Sequence, residues 1–114
     1  MLCACAFTVV RADVIPVSET QKIEFLIDAI AQLSSAGFVR NGVVYNAQEA
    51  ADHLRLKLRI SGTRVKSAEE FIRLCATGSS LTGKPYQIRF ADGRVVSSAD
   101  FLRSKLNELA KRGQ

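Results

Sequence analysis

The chain has 114 residues, 47% of them hydrophobic and 24% charged, a balance that suits one globular domain with a single core and excludes a disordered polypeptide. No apolar run approaches the roughly 20 residues that span a bilayer, so no transmembrane helix is expected after processing. The formal charge of +5 comes from bases interspersed with acids, which favours anionic partners only modestly and argues against nucleic acid.

Residues Leu2 to Val10 form a short apolar segment, and Val10-Arg11-Ala12 places branched and small residues where signal peptidase reads them. This is the back half of a signal peptide, cut after Ala12, with residues 13–114 as the mature domain. No base precedes the apolar run, so the true start is expected upstream of Met1. Cys3 and Cys5 fall inside this segment, and Leu2-Cys3-Ala4-Cys5 has the look of a lipoprotein cleavage box. Cys75 is then alone in the mature domain, cannot form an internal disulfide, and reads as a small buried apolar residue.

Ser18 or Thr20 caps a first helix carrying Ile23, Leu26, Ile27, Ile30 and Leu33 at helical spacing. Phe38-Val39-Arg40 and Val43-Val44-Tyr45 flank Asn41-Gly42, the dipeptide suited to the positive φ angles of a tight hairpin. Asn46 and Glu49 form a capping box for a second helix from about Ala47 to Arg59, with Ala50, Ala51, Leu54 and Leu58 on its apolar stripe. Ser67 with Glu70 predicts a second box and a short third helix burying Phe71, Leu74 and Cys75 on one face. A strand from Tyr86 to Phe90 turns through Asp92-Gly93 into Arg94-Val95-Val96. Ser97 or Ser98 caps a last helix that buries Phe101, Leu102, Leu106 and Leu109. The fold class is α+β: four helices with two β-hairpins in one compact domain.

Gly78 to Lys84 has the spacing of a phosphate-binding loop, but Pro85 stands where such a loop needs a Ser or Thr hydroxyl for Mg²⁺, and the residues beyond it alternate like a strand. The nucleotide reading therefore loses its metal ligand and its helix together, and no cofactor is expected.

Phe38-Val39-Arg40-Asn41-Gly42 with Tyr45, Glu49-Ala50-Ala51 with His53-Leu54-Arg55-Leu56-Lys57, Arg64 to Ile72, and Ser79 to Tyr86 together resemble the YfeK-like family of small bacterial periplasmic proteins. The resemblance covers nearly all of the mature chain. That family is a domain of unknown function, so it implies an exported bacterial envelope protein and offers no catalytic residues to carry over.

His53 is the only histidine and shares a helix face with Glu49 and Lys57. One His and a distant Cys75 match no zinc spacing, so no metal is expected. The plainest role for His53 is a local hydrogen bond to a backbone or carboxylate group. Ser79, Ser80, Thr82, Lys84 and Tyr86 form a polar cluster whose small residues and glycines either expose amides to an anion or simply turn the chain. Arg40 at the hairpin tip and Arg55, Lys57 and Arg59 on the second helix read by default as solvated charge. The candidate ligand-binding residues are Arg40, His53, Arg55, Ser79, Ser80, Lys84 and Tyr86. The expected function is a non-catalytic envelope module for a protein partner or an anionic cell-wall component. Two alternatives stand beside it: a small periplasmic hydrolase or transferase using His53 with a loop serine, and an immunity-type inhibitor of an envelope enzyme.

Overall fold

The computed structural model describes residues 17–112. The signal-peptide segment over residues 1–12, its cleavage after Ala12 and the lipobox-like string at Cys3 and Cys5 lie outside the described residues.

Helix α1 (Glu19–Ala31) begins at a complete capping box: Ser18 Oγ accepts from the Gln21 amide at 3.1 Å, and Gln21 Oε1 accepts from the Ser18 amide at 3.0 Å. Its Ile23, Leu26, Ile27 and Ile30 are buried. Strands β1 (Gly37–Arg40) and β2 (Val43–Tyr45) close through Asn41 at φ 53° and Gly42 at φ 81°, the two positive angles a two-residue hairpin turn requires. Helix α2 (Ala47–Ser61) starts from the expected Asn46/Glu49 box. It runs two residues past Arg59 and stops at Gly62, whose φ of 55° leads into a single 3₁₀ turn over Gly62–Arg64.

Helix α3 (Ala68–Phe71) continues as one π turn over Ile72–Ala76. Here two sequence expectations are corrected. Ser67 does cap the helix through the Glu70 amide, but the Glu70 carboxylate accepts from the Lys66 amide at 2.7 Å and leaves the box open. The Ala68 amide is instead met at 2.8 Å by Glu19, from the first turn of α1, so one helix caps another. The π turn also rotates the apolar face: Phe71, Ile72, Cys75 and Ala76 are buried, while Leu74 is only half-buried.

Strands β3 (Gln87–Arg89) and β4 (Val95–Ser97) form the second hairpin. Its turn holds Ala91, Asp92 and Gly93, with only Gly93 at positive φ, 95°. Helix α4 (Ser98–Arg112) follows, with Ser97 Oγ accepting from the Asp100 amide. It seals Ala99 and Leu102, whereas Phe101, Leu106 and Leu109 stay half-buried at the margin of the core.

The architecture is α+β in one globule, with four helices and two hairpins among the described residues. β1 pairs with β3, so both hairpins merge into a four-stranded antiparallel sheet of order β2-β1-β3-β4. Tyr45, Phe38, Ile88 and Val96 stand opposite one another in a row across it. Phe38 and Ile88 at the centre of that row are buried, and the core continues through Leu26, Ile27, Phe71, Ile72 and Leu102, all fully enclosed.

Candidate functional site

The register of the first hairpin fixes the first pair of site residues. Phe38 opposes Tyr45, so Arg40, two residues along β1, is the diagonal neighbour of Tyr45 on the same sheet face. Arg40 Nη2 donates to Tyr45 Oη at 2.9 Å, and the guanidinium lies 4.8 Å above the Tyr45 ring. Among the described residues the only carboxylate on the cavity beside it belongs to Glu49, which accepts from the Asn46 amide. Among the described residues no carboxylate lies within salt-bridge distance of Arg40.

The second group is held by α2 and by the residue before β3. Tyr86 is buried, and its backbone is clamped on both sides: its amide donates to Thr77 O, and its carbonyl accepts from the Ser98 amide. Lys57 Nζ donates to Tyr86 Oη at 3.0 Å and to Gly78 O at 3.0 Å, while His53 Nε2 sits 3.2 Å from the same phenol oxygen. The lysine ammonium can only donate, so Tyr86 Oη accepts from it and keeps its own proton for His53 Nε2, an assignment that makes Nε2 the unprotonated nitrogen of a neutral ring. In this assignment the ring proton is on Nδ1. Burial first, and then the charges of Arg40 and Lys57, hold the His53 pKa below its ordinary 6.5, which favours that neutral form. His53 thus bonds to a residue 33 positions away, in place of the local backbone or carboxylate partner expected from its helix.

Arg40, Tyr45, His53 and Tyr86 line a cavity of about 160 Å³ whose remaining walls include Ile30, Phe38, Leu54 and Leu102. The site is an apolar recess with a cationic, phenolic mouth.

The loop over residues 78–85 is built differently. Ser79 Oγ accepts from Asn41 Nδ2 at 3.2 Å and from the amides of Leu81 and Thr82. Thr82 Oγ1 donates to Asn41 Oδ1 at 2.6 Å and accepts from the Lys84 amide. Three of the loop's amides, those of Leu81, Thr82 and Lys84, are therefore turned inward to its own hydroxyls. Gly78 bridges to Pro85, and a Cβ at Gly78 would stand 2.8 Å from the Lys84 carbonyl oxygen, so only glycine fits. Beyond Pro85 the chain enters β3, not a helix. Leu81 projects from the tip, 92% exposed.

Of the residues singled out from sequence, Arg40, His53 and Tyr86 come together at the cavity. Ser79 is buried within the loop, Ser80 and Lys84 are exposed on it, and none of the three lines the recess. Among the described residues His53 has no hydrogen bond to a serine, and the loop serines Ser79 and Ser80 lie outside the recess that His53 lines. Arg55 instead ties α2 to α1, 3.7 Å from Asp28 and 3.8 Å from Asp52. Two contributors escaped assignment from sequence, Tyr45 and Lys57. The i,i+4 spacing of His53 and Lys57 was the available signal for the latter. No group of three or more His, Cys, Asp or Glu able to hold a metal occurs among the described residues.

Comparison with known proteins returns two matches. Residues 17–110 match the profile of a family of unknown function, DUF5329. The chain is also similar to the uncharacterized protein YfeK of Salmonella typhimurium, 47% identical over 68 residues that cover 60% of this chain and 57% of that protein. The match thus spans little more than half of that relative's length. No solved structure matches the chain.

Proposed function

Because the chain belongs to the DUF5329 family, whose function is unknown, we propose from its site alone that it is a non-catalytic binding module that receives an anionic group at the Arg40–His53–Tyr86 recess. One observation carries this reading: the Arg40 guanidinium stands at the mouth of an apolar cavity with no salt-bridge partner among the described residues. A partly desolvated cation left without an anion gains from a charged ligand more than a solvated surface base does. The neutral His53 adds a donor without adding charge. The proposed setting is the bacterial periplasm, supported by the apolar segment Leu2 to Val10 ending at Ala12 and by the resemblance to periplasmic proteins.

Titration of the full chain with sodium acetate, followed by the ring signals of His53, tests the reading. Saturable shifts that vanish in Arg40→Gln are expected. Shifts that persist unchanged in that variant would place the anion elsewhere.

A protein partner is the second reading, and Leu81 favours it: a nearly fully exposed leucine on a loop held by seven internal and hairpin hydrogen bonds is pre-organised for insertion into an apolar socket. Inhibition of an envelope enzyme belongs under this heading. Leu81→Asp should abolish capture of such a partner while leaving anion binding intact.

A further inference from the structure

The recess has two chemically distinct parts, and each limits what fits. Its apolar walls, including Phe38, Ala50 and Leu54, and its polar mouth together offer about 160 Å³, on the scale of the roughly 150 Å³ that admits a benzene ring in an engineered protein cavity. Its mouth offers the guanidinium N–H groups of Arg40 left over from the Tyr45 contact and the Nδ1–H of His53, which has no protein acceptor among the described residues. No buried side-chain polar atom is left without a partner, so these spare donors are reachable from solvent.

The charge at the mouth is small. Arg40 is the one basic side chain on the lining, Glu49 lines it as well, and Lys57 bonds Tyr86 from outside it. A dianion such as phosphate finds too few donors for its oxygens and too little positive charge. A planar monoanion matches one guanidinium fork and one neutral N–H.

We propose that the recess binds an apolar monocarboxylate, its tail among Phe38, Ala50 and Leu54 and its carboxylate against Arg40 and His53 Nδ1–H. This rests on the anion-binding reading above and adds the ligand class. The same chemistry arises from a short free acid or from the C-terminal residue of a peptide.

The test is a chain-length series on the full protein: acetate, butyrate, hexanoate and octanoate, with 1-hexanol and inorganic phosphate as controls, read by the ring signals of His53 and Tyr86. Affinity should rise about fourfold per methylene, the increment for burying one CH₂, and level off near six carbons as the cavity fills. Hexanol should bind at least tenfold more weakly than hexanoate. Arg40→Gln should weaken hexanoate about tenfold or more and leave hexanol unchanged, and Ala50→Leu, which adds bulk to the lining, should move the plateau to shorter acids. N-acetyl-leucine binding more tightly than hexanoate identifies a peptide C-terminus as the source, and the reverse order a free acid; either order upholds the class. A flat series in which acetate and phosphate shift His53 as strongly as hexanoate overturns the ligand class while the anion site stands. Hexanol equal to hexanoate overturns the carboxylate contact. No His53 response to any anion overturns both the class and the anion site, and the octanoate arm shows this without any variant.

Discussion

The hairpin over Gly37–Tyr45 and the hairpin over Gln87–Ser97 share one sheet, pair centrally through β1 and β3, and each leads into a helix whose first turn is side-chain capped. Their turns differ in reach. The second closes on itself: Asp92 accepts from the Arg94 amide and side chain, and the Arg94 guanidinium stacks 4.5 Å above Phe90. The first is braced from outside, because the Asn41 amide both donates to Ser79 and accepts from Thr82, some 40 residues on. The braced hairpin is also the one that carries Arg40 and Tyr45 to the recess. Local rules are enough to make a hairpin; fixing where its side chains point at a site takes a contact from a distant segment.

The widest separation between the two hairpins should come from their inner-face residues. Phe38→Ala, which empties a buried position between Tyr45 and Ile88, should cost about 3–5 kcal/mol, whereas the half-buried Val96→Ala should cost about 1 kcal/mol, both read by denaturant unfolding. Equal losses would mean that the sheet does not weight the first hairpin.

Glycine substitutions sharpen the contrast next. Gly78→Ala drives a methyl into the Lys84 carbonyl and should cost about 1–3 kcal/mol, with loss of the loop's protection from amide exchange. At Gly93 the added methyl meets no atom within 4 Å, so only the strain of φ 95° remains, about 1 kcal/mol.

Turn side chains follow. Asn41→Gly keeps the positive φ and removes both braces, for an expected loss of about 1–2 kcal/mol, against a smaller loss for the exposed Asp92→Ala. Comparable values would show that the brace carries no energy.

The smallest effect is a separation in pH. His53 has a depressed pKa in the folded protein, chiefly through burial, so the unfolded chain takes up its proton first as pH falls below 6.5. Stability should therefore drop from pH 6.5 down to the folded value of His53, and His53→Gln should remove that slope. Asp92 is depressed by the Arg94 amide and side chain, so its contribution is present above 3.8 and is lost only as pH falls further toward the folded value. Melting curves at stepped pH read both windows, and a His53 slope of opposite sign would refute the neutral-ring assignment.

The sequence made the cap residues and the turns legible because those are decided within four residues. Ser18, Asn46 and Ser67 cap as their spacing indicates, and Asn41-Gly42 turns as its chemistry requires. The joining of the two hairpins through Phe38 and Ile88 was not legible, since alternation marks which face is buried and not which strand lies alongside. The π turn over Ile72–Ala76 escaped for a related reason: apolar spacing there fits an α-helix, and packing chose the wider turn. At the site, Arg40, His53 and Tyr86 stood out as residue types, yet the bond between His53 and Tyr86 spans 33 positions that no local pattern connects. Ser79 looked like a ligand residue from its neighbours; its hydroxyl proves to be the keystone of the loop.

Cys75 lies in the π turn, fully enclosed, its sulfur 3.5 Å from the Ser61 hydroxyl. A thiol with no accessible surface cannot meet an oxidant or an alkylating reagent while the helices around it are closed. Its modification therefore waits on the opening of the core, and the rate at which that one side chain gains mass is a clock for how often the domain comes apart.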